Sequence, residues 1–275
     1  MTRRSPLSRA GLVLATTAVL AFTLFPVYWM VSTAFDPQAA SGARSLLPGG
    51  FGLDNFRVVL TQGGFGTFLR NSIVVALGTV LASGLLSLFA AVAVSRFRFR
   101  LRTSVLVMIL IVQMVPVEAL VIPLFIQVRT LGMLNSLLGL VVVYVGFSLS
   151  FAIWNLRGFV AAVPVELEEA AYLDGASWWR MFRSILLPLV APGLVATSVF
   201  SFITAWNEFI FALTFMQDDS LYTVAVGLRR FFGQFGTDWG LVMAASTLIT
   251  LPVMVFFVIA QRRLTSGLVS GAVKG

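Results

Sequence analysis

Cysteine and histidine are absent from all 275 residues, and only 11% of them are charged. The first absence removes disulfides and thiolate chemistry, and with them any reading of redox compartment. The second removes the commonest metal ligand and the commonest general base. Lysine occurs once, at position 274, so the net charge of +8 rests almost wholly on arginine. There is no G-x-x-x-x-G-K-[ST] phosphate loop, so ATP hydrolysis of the usual kind is not expected of this chain. What is present is apolar: 59% hydrophobic residues and a mean hydropathy of +0.96. Too few charges remain to cover a soluble globule, and the composition belongs in a bilayer.

Six stretches reach the roughly 20 apolar residues that a helix needs to cross a hydrocarbon core. They lie near 10 to 33, 68 to 95, 103 to 127, 136 to 156, 190 to 215 and 239 to 261. This pattern predicts an all-α polytopic membrane protein with six transmembrane helices. The first run follows Arg3 and Arg4, as in a cleaved signal, yet it stays apolar to Trp29 and Met30 without a small-x-small cleavage site before Asp36. It is read as a retained span. The glycine-rich stretch from 36 to 67 reads as a loop with a short helix near Asn55 to Thr61.

Arginine distribution sets an orientation. With the N-terminus inside, thirteen basic residues fall in inner segments, among them Arg3, Arg4, Arg9, Arg157, Arg180, Arg183, Arg262, Arg263 and Lys274. Six fall outside: Arg44, Arg57, Arg70, Arg129, Arg229 and Arg230. The positive-inside rule then predicts N-in and C-in. The alternating run from Arg96 through Arg98 and Arg100 to Arg102 weighs most, because short loops carry the rule. Between two spans it reads as a topology signal and not as a nucleic-acid patch.

Residues 164 to 192, PVELEEAAYLDGASWWRMFRSILLPLVAP, form a polar island among the apolar runs. Pro164 suits a first helical position, and Glu166, Glu168 and Glu169 suit the positive end of the helix dipole, predicting a helix over 164–173. Ala170 and Ala171 leave a small-residue face, and Gly175 can adopt the left-handed conformation that ends a helix. Ser177 can cap a second helix carrying Trp178, Met181, Phe182 and Ile185 at helical spacing. Pro188 is expected to stop that helix, and Pro192 to open the fifth span. On composition alone, an interfacial amphipathic hairpin explains the island equally well.

The string itself separates these readings. Glu169-Ala170-Ala171, two residues, Asp174-Gly175-Ala176, then a hydrophobic helix ending in Leu187-Pro188 resembles the EAA loop of type I ABC importer permeases. The resemblance implies the permease fold of that family and a coupling helix that inserts into an ATP-binding subunit. Carried onto this sequence, Glu169, Ala170, Ala171, Asp174, Gly175, Ala176 and Phe182 would form the coupling element. The likeness runs from about Phe68 to Gln261. Trp206-Asn207-Glu208-Phe209, Tyr222 through Leu228, and the tail from Leu264 to Gly275 resemble the smaller permease subunit of maltose-type carbohydrate importers. That subgroup implies a second permease subunit, two copies of an ATP-binding subunit and an extracytoplasmic sugar-binding protein. ATP and magnesium would belong to the partner, leaving this chain without a cofactor, a metal or a catalytic residue. The implied organisation is 1–67 as N-terminal stub, first span and outer loop; 68–262 as permease core with its coupling loop at 159–190; and 263–275 as a cytoplasmic tail.

Three polar residues are candidates for the translocation pathway. Glu208 is ionisable near a span and costs several kcal/mol unless it faces protein or water. It would sit about 26 Å along the fifth helix, where snorkelling or an interhelical bond accounts for it equally. Asn207 could bond a sugar hydroxyl or another helix. Glu118 lies between Pro116 and Pro123, which are expected to bend the third span; it could line a cavity or reach the outer interface. A secondary transporter would call for broken helices and an internal repeat, and no inverted repeat is evident. A membrane enzyme would need a denser set of catalytic groups.

Overall fold

The computed structural model describes residues 6–39, 49–61, 64–233 and 237–272. The expectations resting on Arg3, Arg4, Arg44, Lys274 and the end of the tail lie outside them. In chain order the helices are α1 (Pro6–Phe35), α2 (Asp54–Thr61), α3 (Phe65–Arg96), α4 (Arg102–Gln113), α5 (Val121–Thr130), α6 (Leu137–Ala162), α7 (Val165–Leu173), α8 (Trp178–Met181), α9 (Leu187–Asn207), α10 (Ile210–Phe215), α11 (Val224–Gly227) and α12 (Trp239–Ala272). A single antiparallel bridge, Phe232 with Thr237, is the β pairing among the described residues.

Five helices are long and apolar enough to cross a membrane: Ala10–Phe35, Phe65–Arg96, Leu137–Ala162, Trp178–Asn207 and Trp239–Gln261. The third expected span is instead a bent pair, α4 and the segment Val117–Thr130, meeting at 97°. Pro116 carries this break. It is extended, at ψ 125, and a 3-10 turn, Val117–Leu120, follows it. Pro123 contributes no bend, because it falls in the first turn of α5, where a missing N–H costs little.

Three boundaries of the polar island differ from expectation, and one of them is Pro192, which lies inside α9 instead of opening the fifth span. Pro164 precedes α7 as its extended cap residue instead of opening the helix. Pro188 does not stop the second helix, which passes through a π-helical turn, Phe182–Leu186, straight into α9. There the Leu187 N–H bonds the Phe182 carbonyl five residues back. A wide turn of this kind relieves the clash that a proline ring otherwise makes with the carbonyl four residues before it. The fifth span also ends earlier than expected, at Asn207, and an extended Glu208 separates it from α10.

The chain divides into two compact units, one of residues up to Gly66 with Leu228–Leu251, the other Thr67–Gly227 with the segment from Pro252 onward. In the first, Phe35 packs on Phe56 with ring centroids 4.8 Å apart. The Asn55 amide donates to the Ala34 and Asp36 carbonyls at 3.0 and 3.1 Å, satisfying the end of α1.

In the second unit α6 lies along α9. Phe151 stacks on Phe200 at 3.8 Å, and Gly193 sits against the Phe159 ring so closely that a Cβ would collide with it. Hydroxyls inside the apolar helices turn back on their own backbone, as Thr79 does onto the Val75 carbonyl at 2.8 Å. Ser83 bridges α3 to α9 by donating to Ser201 at 3.2 Å.

Candidate functional site

The helix α7 owes its limits to the residues that made its string recognisable. Glu166 and Glu168 occupy the first turn, where the unpaired N–H groups favour negative charge. At the other end the Ala176 N–H bonds the Ala171 carbonyl at 2.9 Å, and the Gly175 N–H bonds the Tyr172 carbonyl at 3.0 Å. This pair of bonds is a Schellman stop, and it requires a left-handed residue at Gly175, whose φ is +79°. Ala171, Gly175 and Ala176 are thus explained by backbone geometry. Ser177 then caps α8 as expected, its hydroxyl accepting the Arg180 N–H at 3.4 Å.

The seven expected coupling residues divide between two faces. Glu169, Ala170, Asp174 and Gly175 are exposed. Ala171 and Phe182 are buried and Ala176 is half-buried against the same apolar cluster, which also holds Ala91 and Val92 of α3 and Val160 of α6. The Phe182 ring stacks on Trp178, Trp179 and Phe89 at 5.3, 5.4 and 5.6 Å. Ala171 and Phe182 therefore hold the element in place and are not on its outer surface. That surface gains residues not singled out from sequence: Leu167, Tyr172 and above all Leu173, which is 89% exposed. A depression of about 250 Å³ beside it is lined by Asp174, Arg180 and Ser184, among others. Exposed apolar side chains here stand beside Asp174 and the Gly175 turn.

Sequence reasoning used Arg96 only for orientation, yet it anchors this element. Its Nε lies 2.7 Å from a Glu168 carboxylate oxygen, with both side chains largely buried. The one legible hint was an arginine closing a span four helices before an unusually dense acidic turn.

The three pathway candidates sit at two helix breaks. Glu118 is exposed in the 3-10 turn between α4 and α5. Asn207 is exposed, and its amide donates to the Ile203 carbonyl of its own helix at 3.0 Å. Glu208 is half-buried, and its two carboxylate oxygens accept the Phe211 and Ala212 N–H groups at 2.9 and 3.1 Å. It also accepts a short hydrogen bond from the Tyr144 hydroxyl of α6. Glu208 therefore caps α10. Nearby, Asn135 holds the left-handed region at φ 55°, and its side-chain oxygen accepts the Gln217 and Asp218 N–H groups at 3.0 Å each. The exposed Asp218 carboxylate accepts the Ser220 N–H, which holds it below the usual carboxylate range.

Comparison with known proteins agrees with this architecture. The sequence profile described as "Binding-protein-dependent transport system inner membrane component" matches residues 83–269. The diacetylchitobiose uptake system permease protein DasC of Streptomyces coelicolor is 42% identical over 263 residues, covering 94% of this chain and 95% of that one. The trehalose transport system permease protein SugB of Mycobacterium tuberculosis is 36% identical, with 94% and 95% covered. Among solved structures, a chain of a bacterial ABC transporter involved in the import of the acidic polysaccharide alginate superposes with a TM-score of 0.81 at 22% identity, over 95% of this chain and 99% of that one. That last likeness concerns the fold. With its apolar helices and its matched length, this chain is a multi-pass membrane protein and belongs to the family of inner membrane components of binding-protein-dependent transport systems.

Proposed function

We propose that this chain is one of two permease subunits of an ATP-driven importer, that its cargo is a sugar, and that α7 is its coupling helix. The observation that carries the reading is the division of α7 into two faces. Ala171, with Phe182 from the following turn, fixes the helix to the ends of the spans. Glu169, Ala170, Leu173 and Asp174 are presented outward, uncovered by the described residues of this unit. The lack of a phosphate loop makes the motor a separate polypeptide. Two copies of it, with ATP and magnesium, would meet this subunit and a second permease. The arginine distribution supports an N-in, C-in orientation with α7 in the cytoplasm. An extracytoplasmic binding protein would deliver the cargo on the opposite side, with 216–238 as its contact.

The sugar assignment rests on the relatives named for diacetylchitobiose and trehalose. Glu118 and Asn207, exposed at the two helix breaks, are candidates for the pathway wall. Glu208 shapes the α9–α10 turn that would present Asn207.

The test is co-expression with the ATP-binding subunit, the second permease and the binding protein. The ATP-binding subunit is expected to co-purify in detergent, and Asp174→Arg or Gly175→Pro to abolish uptake. Independent purification of this chain, together with unimpaired uptake in both variants, would refute the coupling role. Proteoliposomes that take up an amino acid or a peptide but no sugar would refute the cargo class.

A further inference from the structure

Arg96 closes α3, and its guanidinium makes two directed bonds. Nε donates to the Glu168 carboxylate at 2.7 Å, and Nη2 donates to the Val163 carbonyl at 2.8 Å. Val163 is the extended residue that ends α6, and Glu168 lies in the first turn of α7. One planar group therefore joins the ends of three helices: it satisfies an orphan carbonyl of the second and an acid of the third. The Arg96 and Glu168 side chains are 14% and 9% exposed. Beneath them Ala91 and Val92 of α3, Val160 of α6 and Ala171 of α7 form one apolar cluster.

A buried ion pair is a poor device for stability alone, since well-packed apolar residues of the same volume are often as stabilising or more so. What the pair supplies is geometry. The guanidinium fork is rigid and directional, and a lysine ammonium cannot reproduce both bonds at fixed angles. Along the chain α7 follows α6 through Val163 and Pro164 and leads through the Gly175 turn into α8 and α9, so α3 is the span it meets only across space.

We infer that Arg96 is a positioning residue that makes α7 move as one body with the ends of α3 and α6. Displacement of α7 then reaches α3 directly, and not only along the chain into α6 and α9. This inference rests on the docking of an ATP-binding subunit at α7 proposed above.

The test uses the complete complex, reconstituted in proteoliposomes with its binding protein, and reads sugar uptake per ATP hydrolysed. Arg96→Gln and Glu168→Gln are expected to retain the ATP-binding subunit and its basal hydrolysis. Uptake per ATP falls about three- to thirtyfold, the range for residues that carry coupling without touching ligand. Arg96→Lys, which keeps the charge without the fork, falls between wild type and Arg96→Gln. The exchanged pair Arg96→Glu with Glu168→Arg regains part of the loss by restoring the ion pair without the Val163 bond.

The inference is overturned if both glutamine variants keep the wild-type ratio. It is equally overturned if the exchanged pair is no better than the single changes, or if the variants fail only by losing the ATP-binding subunit. A wild-type complex that never retains that subunit overturns the proposed function itself, and this inference with it, so the two failures are distinguishable.

Discussion

Glu168 and Glu208 occupy matching places in the chain. Each follows a long apolar helix, and each lies at the start of a short one, α7 and α10 respectively. Their partners differ. Glu168 faces a cation from α3, whereas Glu208 is held by two backbone N–H groups and the Tyr144 phenol of α6. The two junctions stand about 28 Å apart along α6, counting the rise from Tyr144 to Val163. The first neutralises its charge and ties three helices together. The second serves as a cap, accepting two backbone N–H groups and a phenol hydroxyl. A local pattern of span, break and acid thus builds a rigid joint in one place and a shaped turn in the other, according to what another helix brings alongside.

The largest expected effect comes from removing the cation. Arg96→Met leaves Glu168 buried without compensation, a loss of about 3–5 kcal/mol, visible as a lowered thermal midpoint of the detergent-solubilised protein. Replacing both residues by methionine is expected to recover most of it. An unchanged midpoint in the single variant would erase the distinction between the two junctions. At the other end, Glu208→Gln turns an amide NH2 toward a backbone donor and is expected to cost about 1–3 kcal/mol. Tyr144→Phe should cost less, and a double-mutant cycle should give a coupling of at least about 0.5 kcal/mol; additivity would mean that the phenol does not hold the cap.

Smaller effects probe the turn that follows Glu168. Gly175→Ala forces a side chain into the left-handed region at about 1–2 kcal/mol, while Gly175→Asn should be milder. Chemical denaturation of the two variants side by side checks that order. Ser177→Ala is expected to be the least harmful, near 0.5 kcal/mol, because its capping bond is long and exposed. If it proves worse than Gly175→Ala, the cap and not the glycine turn sets the geometry of the α7–α8 corner.

Features decided within a few residues were legible in advance. The helix over 165–173, its stop at Gly175, the cap at Ser177 and the short α2 follow from local backbone chemistry, and the long spans follow from the length of uncharged runs. Other features depended on partners far along the chain. The π turn at Phe182–Leu186 answers to Pro188, but the stacking of its first residue, Phe182, on Phe89 of another helix was not legible. The break at Glu208 is stabilised by a tyrosine 64 residues earlier. Pro116 was visible as a bend, and its size, 97°, was not. Among the residues expected to couple, helical periodicity could place Ala171 and Phe182 on some face but could not say which face met protein.

By itself, then, the sequence determined that this chain lives in a membrane and which string forms the short helix α7 with its stop at Gly175. Those properties follow from composition, from run length and from φ and ψ preferences, all of which act within one or two helical turns. Tertiary structure decided which acid became a joint and which a cap, and which residues of the Glu169–Phe182 string stayed outside. Pairing a charge with its partner needs helices that are distant in sequence to lie side by side, and only packing brings Arg96 to Glu168 and Tyr144 to Glu208.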